Sequence, residues 1–303
     1  MRQREMQMIL ANAVKKDFGL NGVNQAGGYK FTNLIRFKKF LHGIEALTMF
    51  KDEIHLLKNS PLFSTALDEL IVNPGVGLQI HAQSAYLSNA AEALLRVLNT
   101  MLVPQDENTV SILLPKPANF HSLINVLTAF EKSISQVITN DKINGNLKIN
   151  TWEAGSFWIE LFLGTQAAVL LIAGVAWSAA VIAKKYNEAA ILAQHVRSLK
   201  IKNESLDDIL EKQKEMTSLL IENETEQLLV KHFNKESDPE LSERLKFAVK
   251  TFAELIQQGA EVHPALNAPE QVSNLFPNFK SLDTITSQIK QIESTKKEST
   301  PTA

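Results

Sequence analysis

"GSFWIELFLGTQAAVLLIAGVAWSAAVIAKKY" runs from Gly155 to Tyr186 and is the most apolar stretch of the chain. Its reading decides the fold, because it divides into two parts with different periods. From Phe157 to Leu163 the residues alternate: Phe157, Ile159, Leu161 and Leu163 against Trp158, Glu160 and Phe162. A period of two is a strand signal. From Ala167 to Ala183 the run is about 17 uncharged residues, at the short end of the roughly 17–25 that a membrane span needs. Extending it backwards meets Gln166, Thr165 and Gly164 and then the strand pattern with its Glu160.

The second part reads as a helix buried on most sides. Ala167, Gly174 and Ala180 keep its surface slim, Leu170 and Leu171 supply bulk, and Trp177 lies mid-run instead of in an interfacial belt. Small residues let neighbouring backbones approach closely in a protein core and in a bilayer alike. These six residues are the candidate packing or membrane positions. A membrane helix is the alternative, with Lys184-Lys185 as cytoplasmic flank. It would place about 160 preceding residues outside, behind an N-terminus, "MRQREMQMILANAVKKDFG", that has no apolar export segment. A conditional form keeps the helix sheltered until activation, as a toxin-like or defence effector would. The expected location is the cytoplasm, with inner-membrane association as the alternative.

Around this stretch the order is strand, helix, strand, strand, helix. "TVSILLP" alternates Val110, Ile112 and Leu114. Asn119 caps a helix with Leu123, Leu127, Phe130, Ile134 and Val137 on one face. "NLKINTW" alternates Leu147, Ile149 and Thr151 and pairs with Phe157–Leu163 as an antiparallel hairpin, with Ser156 at its turn. The fold expected is α+β and mostly helical, a small sandwich with helices packed on one sheet. It divides into an N-terminal helical region 1–75, the α+β module 76–200, a C-terminal helical region 201–290 and a disordered tail 291–303.

In the first region "GLNGVNQAGGYKF" (Gly19–Phe31) reads as a loop. Leu34, Phe37, Leu41 and Ile44 form a helical stripe. Ser60-Pro61 starts a short helix that carries Leu67, Leu70 and Ile71 to the turn at Asn73-Pro74-Gly75. "VGLQIHAQ" (Val76–Gln83) reads as a strand before a clear helix with Leu87, Ala91, Leu94 and Leu98. After the apolar run, heptad-like spacing through Ile182, Tyr186, Ala189 and Ala193 suits a helical bundle or coiled coil. Ser205 with Asp208 opens a charged helix. Asp238-Pro239-Glu240 opens another, lined by Leu245, Ala248, Phe252 and Leu255 and ended by Gly259.

No motif carries chemistry. The chain has 303 residues, seven histidines and no cysteine. The histidines form no HxxxH pair, "AGSFW" is not a nucleophile elbow, "NQAGGYK" lacks the Gly-Lys-Ser/Thr of a phosphate loop, and "DFG" (Asp17–Gly19) stands without the other kinase signatures. Glu160 reads as an acid on the exposed face of its strand. No catalytic residue, cofactor or metal is implied. A net charge of −2 gives no drive toward nucleic acid. "RFKKF" (Arg36–Phe40) reads as a solvated helix face, with phosphate contact as the alternative. "KINTWEAGSFWIELFLGT" before an apolar helix resembles uncharacterised bacterial proteins and attaches to no characterised family. The function expected is non-enzymatic interaction or assembly, through a protein partner or self-association of helices. A membrane anchor or effector is the alternative, and an enzyme with an unrecognised site the second.

Overall fold

A computed structural model describes residues 1–153, 157–198, 203–234 and 238–287. The side chains of 195–198, 203–207, 209 and 210 lie outside that description. So do the expected turn at Ser156, the cap at Ser205 and the tail 291–303. The chain is mostly helical α+β, with two small antiparallel sheets among the described residues. It forms two compact units, Met1–Pro104 and Gln105–Ala303.

The first unit carries helices α1 (Gln3–Ala13), α2 (Leu34–Gly43), α3 (Lys51–Lys58) and α4 (Pro74–Met101) and strands β1 (Asn21–Gln25), β2 (Gly28–Thr32) and β3 (Glu69–Val72). Three local expectations change here. The Gly19–Phe31 loop is largely a hairpin, β1 on β2, closed by a two-residue turn at Ala26-Gly27 with Gly27 at φ +100°. Tyr29 and Phe31 are its buried residues. The expected Pro61 helix is only a 3-10 turn at Pro61–Ser64, and Leu70 and Ile71 belong to β3, paired with β2. Val76–Gln83 is the start of α4, not a strand. Asn73 Oδ1 accepts from the Gly75 amide at 3.0 Å and Pro74 takes the first helical position. Gly77, Ile80, Ser84, Leu87 and Ala91 are then buried at three- and four-residue steps, while Val76 and Leu78 are exposed.

The second unit begins with β4 (Thr109–Leu113), α5 (Phe120–Ile138), β5 (Lys148–Glu153), β6 (Trp158–Phe162) and α6 (Gln166–Ser198), in the order expected. Then come α7 (Asn203–Phe233), α8 (Pro239–Gln257) and β7 (Glu261–Pro264). The sheet order is β5-β6-β4-β7. β7 joins by pairing with β4, an addition that the short "EVHP" segment does not announce. Asn119 and Asp238 cap α5 and α8 as read. Val110, Ile112, Ile159, Leu161 and Val262 form the apolar face of the sheet and share one core with α5, α6 and α8.

The opposite face mixes polar and aromatic residues and is covered at its centre. Glu160, read as exposed, is fully buried together with Thr109 and Ser111. The Gln105 side chain donates to one Glu160 oxygen at 2.8 Å, and Asn150 reaches the other at 3.5 Å. Gln105 also accepts from the Leu266 amide at 2.9 Å, which ties the 105 segment to the chain after β7. A register shift between Ile149 and Thr151 puts Asn150 beside Glu160 while Ile149 and Trp152 stay opposite Leu161 and Ile159. Glu160→Ala leaves the Gln105 and Asn150 donors facing a void, so it is expected to cost about 2–3 kcal/mol. Urea denaturation of the full chain measures this.

Candidate functional site

α6 begins where β6 ends. The Thr165 hydroxyl accepts from the Ala168 amide at 3.1 Å and donates to the Ile143 carbonyl at 2.9 Å, so the helix start is both capped and anchored. From Ala168 to Ala183 the described helix is buried at nearly every position. The exception is Leu170 and Trp177, each half-buried. α6 packs on α7 and α8, and α5, β7 and the segment Phe279–Thr284 also touch it.

Of the six candidate residues, Leu171, Gly174 and Ala180 are buried, Ala167 and Trp177 are half-buried and packed on the same core, and Leu170 is half-buried. Gly174 lies close against α7, since a Cβ there would stand 2.7 Å from Leu228 Cδ2. Trp177 points to the flank, where its indole N–H donates to the Thr286 carbonyl at 3.0 Å. Lys184, read as a membrane flank, donates to the Ile285 carbonyl at 3.0 Å. The C-terminal segment thus straps one side of α6.

Two polar features on α7 were not legible in the sequence. Glu224 is buried, 2 % exposed, and accepts from Ser178 Oγ at 2.7 Å and from Ser287 Oγ. One carboxylate therefore joins α6, α7 and the C-terminal strap. His232 stands against Gly174, with its Nε2 buried and unpaired among the described residues. Its pKa falls from 6.5 to about 4, through burial first and the Lys231 charge second.

A groove of about 890 Å³ lies between α5 and the sheet, lined by Leu127, Phe130, Ile149, Trp152, Ile159 and Leu161 among others. Its lining residues include one carboxylate, Glu131, and one ammonium, Lys148. Among the described residues no group of three or more histidines and acids could hold a metal. His263 pairs with Glu261 at 2.7 Å and sits between the Trp158 and Phe279 rings, a packing arrangement on the β7 edge.

No family model matches the chain, and no solved structure matches it. It is 25 % identical over 292 residues to the uncharacterized protein YqaP of Bacillus subtilis, covering 91 % of this chain and 92 % of that one. The similarity therefore spans both units.

Two substitutions test the packing of α6. Gly174→Val forces side-chain atoms into Leu228 and is expected to destabilise the unit by about 1–3 kcal/mol, read by urea denaturation. His232 gives a pH signature. Above about pH 6.5 neither state protonates it. Between 6.5 and about 4 the unfolded chain takes up a proton that the native imidazole refuses, so stability falls as pH drops. The loss through this window is at most about 3 kcal/mol. The difference in urea midpoint between wild type and His232→Gln is expected to change over that window and to stay flat above it.

Proposed function

We propose that the chain is a non-enzymatic interaction and assembly protein, acting in the cytoplasm, whose docking element is the outer half of the α6–α7 hairpin. What supports this is the change in burial along the pair. Gly174 lies against Leu228 and Ser178 against Glu224, so the helices run antiparallel. Up to Ala183 on α6, and from Glu224 on α7, apolar residues are mostly buried. Beyond that, Ile191, Leu192, Met216 and Leu219 are 57, 42, 70 and 58 % exposed. By that register Met216 and Leu219 lie level with Tyr186 and Ala183, so with Ile191 and Leu192 the four fall within about two and a half turns along the pair. Single exposed apolar residues are ordinary, but a group of four on a helical projection suits a helix-packing partner. The heptad-like spacing of the sequence favours a coiled-coil type of contact, for which a second copy of the chain is the simplest occupant.

A membrane anchor or effector using Ala167–Ala183 is the second reading. The helix has the length and composition for it, being the one such helix among the described residues. The burial pattern weighs against it. In a bilayer α6 would keep its own apolar environment, but the faces it leaves would not. Phe252, Val249, Leu245 and Leu228 would lose their cover, and each buried side chain of that size contributes roughly 1.5–3 kcal/mol.

Sedimentation velocity on the full chain tests the first reading. Concentration-dependent association is expected, and Ile191→Glu with Met216→Glu should shift it to monomer without lowering the melting temperature. A chain that stays monomeric at every concentration contradicts self-assembly. Release of dye from anionic vesicles by the folded chain would favour the second reading.

A further inference from the structure

The cations of "RFKKF" part company in the structure. Lys38 serves the fold, donating to the Thr65 carbonyl with its ammonium 5.4 Å from the centre of the Phe63 ring. Arg36 and Lys39 share another side of α2 with Phe40 and Gly43, and these four line a cleft of about 700 Å³. Its other wall comes from α1 and the segment after it: Ile9, Ala13, Lys15, Lys16, Asp17 and Phe18. Four cations therefore line the cleft against one carboxylate, and four minus one leaves a surplus of three positive charges. The carboxylate neutralises little. Asp17 stands 3.8 Å from Arg36, and both side chains are more than 60 % exposed.

Helix electrostatics explain only half of this cluster. Lys15 and Lys16 follow the C-terminus of α1, where the helix dipole favours positive charge. Arg36 lies in the first turn of α2, where the dipole disfavours it. The segment bearing Lys15 and Lys16 is also pinned in one geometry. Asp17 and Asn33 both adopt left-handed backbone, at φ 58° and 70°. The Asn33 amide donates to the Asp17 and Gly19 carbonyls at 2.6 and 2.7 Å. Phe18 packs on Phe40 with ring centres 4.7 Å apart. Asn and Asp tolerate this backbone best, yet holding two such residues together carries a strain of the kind found at binding sites.

The cleft therefore offers two kinds of contact: three exposed ammonium groups and one guanidinium for an anion, and an apolar wall of Ile9, Ala13 and half-buried Phe18 beside it. We propose that it binds a phosphorylated small molecule, with the phosphate held by Lys15, Lys16, Arg36 and Lys39 and an aromatic or aliphatic body lying against Phe18. Arg36 suits phosphate because its planar fork donates two parallel hydrogen bonds. A nucleotide and a lysophospholipid share this chemistry. The site stands apart from the assembly reading, since it lies wholly in the Met1–Pro104 unit.

Isothermal titration calorimetry on the full chain tests it, with ATP, lysophosphatidic acid below its micellar concentration, and inorganic pyrophosphate as probes. One of the two organic phosphates is expected to bind at least about ten-fold more tightly than pyrophosphate, and which one does so names the source. Arg36→Glu with Lys39→Glu should weaken that binding at least about ten-fold and leave the melting temperature unchanged, as both side chains are exposed. Phe18→Ala should weaken the organic phosphate but not pyrophosphate. Lys132→Glu, an exposed change in the other unit, should leave all three unchanged. No binding by either organic phosphate at about 1 mM, binding indifferent to Arg36→Glu with Lys39→Glu, or pyrophosphate binding as tightly as both organic phosphates would each overturn the proposal.

Discussion

The burial of α6 between Ala168 and Ala183 is the constraint on which the larger unit depends. Its small residues let α7 and α8 come close, and its aliphatic residues fill the space between them and the sheet. Phe130 and Phe252 meet edge to face in the same core, which links α5 to α8. Neither α7 nor α8 could take the place of α6, because each carries a charged face. The run is apolar all round since it is surrounded, which is the condition that a core helix and a membrane helix share.

Buried polar groups give this core its register. Glu224 holds Ser178 and Ser287 at fixed heights, so α6 cannot slide along α7 without leaving a buried carboxylate unpaired. Glu160 does the same for the sheet, tying β6 to the segments around Gln105 and Leu266. Truncating such a partner costs more than the hydrogen bond itself is worth, because the remaining group is left desolvated. The contacts are thus stronger as constraints on geometry than as sources of stability.

Where side-chain period and turn chemistry agreed, the elements were legible. The strand-helix-strand-strand-helix order, the Asn119 and Asp238 caps and the split of the opening stretch near Gly164 all follow from local patterns. The first unit was harder. The β1–β2 hairpin has one apolar residue in its first strand, Val23, which is exposed, so no alternation marked it. Tyr29 and Phe31 after the Ala26-Gly27 turn were the available signal. Val76, Leu78 and Ile80 alternate like a strand, yet the Asn73-Pro74 cap just before them decides for a helix. Glu160 could not be placed from sequence, because its partner Gln105, itself held by the Leu266 amide, is distant along the chain. Period and composition marked the apolar helix, whereas the Glu224 and His232 side chains facing its Ser178 and Gly174 come from a different helix altogether. Lys15, Lys16, Arg36 and Lys39 illustrate the same limit: the cleft exists only once α1 and α2 are brought together.

Hydrogen exchange across Ala168–Ala183 tests most directly whether this helix is core. Full-length protein is followed by mass spectrometry in buffer, with and without anionic vesicles. If α6 is held inside the folded unit, these amides belong to the slowest-exchanging class in buffer, and vesicles leave them unchanged. Rapid exchange in buffer that becomes slow only when vesicles are added would contradict it, and would make the bilayer the proper environment of this helix.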